Sequence, residues 1–474
     1  MSSLAALVGL LESIGLERLL DEPSELDIEL IAGDASPRRY YRWVLTAEAC
    51  LEVMNLLNIH AQPTPEPKAP VALTSFSSTA GHNELAGPPG PASLILVDSP
   101  STEKNPEFLA IRALLEQAGV RVPALYHADL NRGFMLLEDL GNDTLLPLLS
   151  EFSVSVWYPK ALTMLTEIAR ISLFVPSATA PGFNQKTSMR SELSGRLEHS
   201  SLHGAADRLR QGSTANDSVS VMDDPAGRAQ WRASSGESDA SELPAVNEFL
   251  LPAYDAPLLQ QELNLFPEWF VTRLLGLNAP ELPPLFADLS GFLIANAVEQ
   301  PQVLVHRDFH SRNLMVLNNS ELATIDFQDA VIGPITYDPV SLLKDCYVRW
   351  PRARQLAWLA DHQANLELRG VLKPVSSATF IRWFDLMGLQ RHLKVLGIFA
   401  RLYLRDAKPG YLNDLPLVLA YTREALALYA GNDTRIADFR DWLEGEVVPV
   451  CRDQPWFSDA HDHWLELNAP ARQP

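Results

Sequence analysis

Three polar residues in the stretch 303–330, VLVHRDFHSRNLMVLNNSELATIDFQDA, have the types and spacing for phosphoryl transfer from a nucleotide. That reaction needs a carboxylate to orient the attacking hydroxyl, and hard oxygen ligands to hold Mg²⁺ against the phosphates. Asp308 can be the carboxylate, while Asn313 and Asp326 can hold the cation. Apolar runs flank them at Val303–Val305, Leu314–Leu317 and Leu322–Ile325. A strand should therefore lead into the Asp308 loop, and a hairpin turned at Asn318-Asn319-Ser320 should bring Asp326 back beside it.

Asp308 and Asn313 could also serve only as turn residues. Against that, His306-Arg307-Asp308-x-x-x-x-Asn313 followed by a strand-borne Asp326-Phe327 matches the catalytic-loop and metal-site signature of kinases in type, order and spacing. Gln328 stands where protein kinases carry a glycine, and His310 lies inside the loop. Both point toward small-molecule kinases that share the fold. The expected class is α+β and bilobal, protein-kinase-like, with a small β-rich N-lobe, a larger helical C-lobe and the active site between them.

Residues 1–137 supply the pattern of the nucleotide-binding lobe. Leu26–Ile31 and Trp43–Leu45 read as strands around the small-residue turn GDASPRRYYR. Backbone N–H groups near Gly33, with Ser36, Arg38 and Arg42, could cover nucleotide phosphates there. Ser93–Val97 is the next strand. Where the kinase pattern carries a lysine it runs into Asp98, which leaves Lys104, Arg38 or Arg42 to provide the missing charge. Phe108–Ala118 has helical spacing and stops at Gly119; Val122–Leu125 and Gly133–Leu137 complete a small sheet. Glu138-Asp139-Leu140-Gly141 opens the segment 138–145, read as a hinge whose backbone would meet the adenine, or else as an acidic loop.

Residues 146–474 read as the catalytic and substrate-binding lobe, with helices at Trp157–Leu173, 248–277, around Val340–Tyr347, and at 376–403 and 415–430. Trp269 and Phe270 suit a core better than a ligand platform. Asp338 could hold the catalytic loop or cap a helix. Two low-complexity stretches, 59–92 and 185–245, are expected to be disordered insertions.

Composition narrows the partners. The 474 residues carry a net charge of −21, and their pI is near 4.9. Without a basic run this argues against nucleic acid or an anionic membrane. Cys50, Cys346 and Cys451 are widely spaced and form no metal pattern, and Met1–Leu20 reads as an amphipathic helix rather than a leader. A cytoplasmic protein with reduced thiols is expected.

The catalytic stretch, together with GDASPRRYYR, SLILVDSP, LLEDLG, YDAPLLQQELNLFPEWF, GPITYDPVSLLKDCY and RLYLRDAKPGYLNDLP, resembles the aminoglycoside-phosphotransferase-like superfamily, and within it the bacterial N-acetylmuramate/N-acetylglucosamine anomeric kinases. The resemblance spans nearly the whole chain except the two insertions. It implies ATP-dependent phosphorylation of the anomeric hydroxyl of an amino sugar recovered from peptidoglycan, with Mg²⁺. By motif position, Asp308 would be the base, Asn313 and Asp326 the Mg²⁺ ligands, and Ser36 with Arg38 part of the phosphate loop. His310, Arg312 and Asp255 are candidates for contacts to the sugar, or alternatively for local hydrogen bonds and ion pairs. Two rival readings keep the fold: a kinase of another small alcohol or aminoglycoside, and a pseudokinase that binds nucleotide without turnover, which the absent strand lysine favours.

Overall fold

The computed structural model describes residues 8–9, 27–32, 38–45, 53, 93–100, 102–173 and 251–463. Gly33, Ser36, Cys50 and both expected insertions lie outside these. The chain divides into two units. Thr179–Leu243 is one, also outside the described residues; Met1–Ala178 with Pro244–Pro474 is the other, and it holds all the described strands and helices.

Five antiparallel strands form the first sheet: β1 (Asp27–Ala32), β2 (Arg39–Val44), β3 (Ser93–Asp98), β4 (Leu125–Asp129) and β5 (Phe134–Glu138), in the order β1-β2-β3-β5-β4. β2 begins earlier than expected. Tyr41 and Trp43 alternate with less buried neighbours, so Arg39–Arg42 belong to the strand, and Arg42 sits inside it rather than in the loop. β4 begins only at Leu125, because Pro123 has no N–H for a ladder. The helix Asn105–Gln117 packs under the sheet; Gly119, at φ +78°, ends it in the left-handed conformation that glycine adopts freely.

The catalytic stretch folds as its spacing requires. β6 (Gln302–Val305) leads into the Asp308 loop and pairs with β9 (Val331–Pro334); β7 (Leu314–Val316) and β8 (Leu322–Thr324) form the hairpin, with Leu314 opposite Thr324. The remainder is helical. Val154–Arg170, Ala256–Leu263, Tyr337–Leu343, Ser377–Leu404 and Leu415–Tyr429 fall close to the expected segments. Leu282–Val298, Arg352–Leu368 and Thr434–Trp442 were not anticipated, and Phe266–Leu274 is π-helical. Phe270 is core and Trp269 lies nearer the surface, its ring covered by Arg273 at 4.1 Å. This is the bilobal α+β arrangement expected. Among the described residues, no helix is long and apolar enough to cross a membrane.

One apolar core runs through both lobes, from Ile95 and Val97 on the sheet through Phe108 to Phe309, Leu314 and Phe327 of the catalytic stretch and on to Phe384; a second fills the helical lobe around Phe266, Leu393 and Phe439. Ser377–Leu404 crosses the π-helix closely, and a Cβ on Gly397 would lie 2.3 Å from the carbonyl carbon of Leu265. Backbone cannot yield as a side-chain tip can. Gly397→Ala should therefore lower stability by roughly 1–3 kcal/mol, read as a drop in the urea midpoint at unchanged m-value.

Candidate active site

The loop that presents Asp308 is fixed by its backbone. Arg307 sits at φ +74°, a left-handed conformation that a non-glycine residue adopts only at a cost. Both Asp338 carboxylate oxygens accept backbone N–H groups there, from His306 at 2.7 Å and from Arg307 at 3.0 Å. Further along, Asp345 accepts the Ser311 N–H at 2.9 Å and its hydroxyl at 2.6 Å. Two buried acids thus hold the loop from beneath. Burial pushes the Asp338 carboxyl up to about 7 despite those two N–H groups and Arg391.

His306 is buried between Asp308 and the hairpin. Its Nδ1 accepts the Asp308 N–H at 3.3 Å, so Nε2 carries the proton and donates to Thr324 at 2.8 Å. Burial drives its pKa down to about 4. Phe327 lies edge-on to this ring and stacks at 4.9 Å on Phe108, carrying the contact into the first lobe.

Asn313 and Asp326 meet as the spacing demanded. The Asn313 amide donates to the Asp308 carbonyl at 3.0 Å and to Asp326 at 3.3 Å, and Ile325 N–H returns to the Asn313 carbonyl at 3.1 Å. Asp326 is left-handed at φ +65° and accepts from Gln328 at 2.6 Å. Among the described residues, no cluster of three or more His, Cys, Asp or Glu side chains converges. The Asp326 carboxylate and the Asn313 amide oxygen are the kind of hard donors that Mg²⁺ accepts alongside phosphate oxygens.

Asp308 lies near a charged cluster of which the sequence singled out only Arg307 and His310. Glu262 is ion-paired with Arg307 and with Lys394 at 2.9 Å; the Tyr337 hydroxyl accepts from Lys394 at 3.0 Å and from Arg391 at 3.1 Å. Burial alone would push the Asp308 carboxyl up, but Lys394, His310, Arg391 and Arg307 hold it below the ordinary range. It is therefore ionised. Among the described residues, no donor hydrogen-bonds its carboxylate. The sequence signal for these partners was faint: Glu262 lies within the motif that carried the resemblance, and Arg391 and Lys394 interrupt an apolar helix.

A cavity of about 240 Å³ lies against the metal-site pair. Tyr40, Ile95, Phe108, Leu137, Leu140, Met315, Ile325 and Phe327 line it together with residues 138–141, Asn313 and Asp326. The hinge acids turn to basic partners. Glu138 is ion-paired with Arg121 and accepts the Ala124 N–H at 3.0 Å. Asp139 takes Arg42 at 2.6 and 3.0 Å and the Ser93 hydroxyl at 2.6 Å.

The three cations that could replace the missing strand lysine are thus separated. Arg42 is engaged at the hinge. Arg38 is buried over Phe108, donating to Ser99 at 3.0 Å and Asn105 at 3.1 Å. Lys104 reaches across to Asp329 at 2.5 Å, beside the metal-site turn. Of the sugar-contact candidates, His310 and Arg312 both pack on Tyr347, while Asp255 caps the Ala256–Leu263 helix through the Leu258 N–H at 3.1 Å.

Fold and site together define a nucleotide-dependent phosphotransferase with the bilobal kinase architecture. The model of the phosphotransferase enzyme family matches residues 27–374, and the chain belongs to that family. It is 33% identical over 358 residues to an N-acetylmuramate/N-acetylglucosamine kinase of Pseudomonas putida, covering 75% of this chain and 84% of the relative. Against a protein of the same name from Pseudomonas aeruginosa it is 33% identical over 340 residues, 71% and 78% of the two chains. Among solved structures, a Plasmodium vivax ethanolamine kinase aligns with a TM-score of 0.46 at 10% identity, covering 85% of this chain and 83% of its own.

The buried neutral His306 makes stability depend on pH. Its folded-state pKa of about 4 lies below the ordinary 6.5, so between those values the unfolded chain binds a proton that the folded chain refuses. Stability should fall as pH drops through this window, by about 2 kcal/mol at pH 5 from this residue. Urea unfolding at pH 7 and pH 5 should show a smaller loss in His306→Asn than in the wild type. Equal losses would show that His306 does not titrate in this way.

Proposed function

We propose that this protein transfers the γ-phosphoryl group of ATP to the anomeric hydroxyl of N-acetylmuramate and N-acetylglucosamine, yielding the sugar 1-phosphate for reuse of peptidoglycan amino sugars. The reading is carried by the likeness to two kinases of that name over most of both chains. It is supported by an ionised Asp308 whose carboxylate no described donor occupies, set beside the Asn313–Asp326 pair.

In this reading the adenine lies in the apolar cavity against the 138–141 backbone, and the phosphates point toward Asn313, Asp326, Arg38 and Lys104. By motif position Gly33 and Ser36, which lie outside the described residues, would contact the same phosphates. Mg²⁺, held through Asp326 and Asn313, would neutralise phosphate charge. Asp308 accepts the hydrogen bond of the anomeric hydroxyl and aims its oxygen at phosphorus. As the new C1–O–P linkage forms, the bond from phosphorus to the β-phosphate oxygen breaks, ADP leaves, and the hydroxyl proton passes to Asp308. A hemiacetal hydroxyl is more acidic than an ordinary alcohol, so orientation outweighs proton abstraction. We assign the reaction to the cytoplasm, where ATP is supplied and thiols such as the buried, free Cys346 and Cys451 stay reduced.

Phosphorus NMR of the protein with ATP, Mg²⁺ and each sugar should give an anomeric phosphate signal. Asp308→Ala should lose roughly 10²–10⁴-fold in kcat while ADP affinity stays close to wild type. No phosphorylation of either sugar would refute the acceptor assignment; wild-type turnover by Asp308→Ala would refute the role of Asp308.

A further inference from the structure

The residues after Asp308, through Asn313, divide between two sets of partners. Asn313 turns its amide to Asp326, on the nucleotide side. His310 and Arg312 turn to Tyr347 instead: the His310 ring meets it edge-on at 5.4 Å, and the Arg312 guanidinium lies over it at 3.6 Å. Tyr347 is itself fixed, stacked on Phe399 at 6.3 Å and held by its N–H to Asp345 at 3.1 Å, the same acid that anchors Ser311. Arg312 is therefore a preoriented plane on the same loop as Asp308, four residues further along the chain.

Its edge is open. The Arg312 side chain is 45% exposed, and its nearest carboxylate, Asp414, stands 3.9 Å away, beyond hydrogen-bond distance. Among the described residues, no acceptor hydrogen-bonds this guanidinium. Burial raises the Asp414 carboxyl while Arg312 draws it down, so the two attract through space without a hydrogen bond. The other cations around Asp308 are occupied: Arg307 and Lys394 by Glu262, Arg391 by Tyr337 and the Arg307 carbonyl. A stacked guanidinium with free N–H donors is the planar fork that takes a carboxylate through two parallel hydrogen bonds. In a chain with net charge −21, an acidic acceptor needs such a local cation.

We propose that Arg312 selects for a carboxylate-bearing acceptor, its guanidinium taking the acid group that N-acetylmuramate carries and N-acetylglucosamine lacks. This rests on the sugar-kinase reading above.

The test is kcat/KM for both sugars in the wild type, Arg312→Gln and Arg312→Lys. The ratio of N-acetylmuramate to N-acetylglucosamine efficiency should fall about tenfold or more in Arg312→Gln, the worth of a hydrogen bond to a charged group. Arg312→Lys should recover only part of it, because a point charge replaces the fork. A ratio within about twofold of wild type, with both sugars losing alike, would assign Arg312 to the transferred phosphate and overturn the proposal. A wild type that phosphorylates N-acetylglucosamine but not N-acetylmuramate overturns the Arg312 assignment alone; one that phosphorylates neither sugar overturns the function and the assignment together.

Discussion

The grip of Asp338 on two successive backbone N–H groups is the constraint from which the geometry of the Asp308 loop follows. A left-handed arginine in mid-chain costs on the order of 1–2 kcal/mol, and the turn persists only where its surroundings over-determine it. Asp338 supplies that at His306 and Arg307, and the turn it enforces sends the Arg307 side chain toward Glu262. Asp308 follows directly, and five residues later Asn313 closes the loop onto the Asp308 carbonyl. A buried acid outside the loop thus decides how the Asp308 turn is set.

Charge is distributed against the overall composition. The chain is strongly acidic, yet Arg307, Arg391 and Lys394 crowd beneath its catalytic loop. Burying ions is unfavourable unless partners and hydrogen bonds compensate. Here Glu262 and the Tyr337 hydroxyl do so, and the surplus positive field holds the half-buried Asp308 carboxyl below the ordinary range. Removing one member would strand the others, which makes the cluster a single unit rather than a set of separate contacts.

The two lobes are joined by more than the hinge. Phe108 on the first-lobe helix stacks on Phe327 of the metal-site turn, and Lys104 at the start of that helix pairs with Asp329. Arg42 fastens the sheet to the hinge acid Asp139. The cavity between Ile95, Phe108 and Phe327 is therefore lined by residues of one continuous apolar core, so a shift of the Asn105–Gln117 helix would be felt at Asp326.

Sequence alone determined what short-range rules can determine. Two apolar runs around a turn signal pair as a hairpin, so the hairpin itself and the meeting of Asn313 with Asp326 were legible from spacing, while the register that sets Leu314 opposite Thr324 was not. Helix periodicity located most of the second lobe, although several helices escaped, among them Arg352–Leu368, whose apolar stripe is diluted by charge. Tertiary structure alone decided the partners of the charged residues. Arg42 lies 97 positions from Asp139 and Arg307 lies 45 from Glu262. An ion pair carries no periodicity and fixes no local conformation, and arginine on a strand reads the same whether it meets phosphate or a hinge carboxylate. Only the packing of one lobe on the other selects between them.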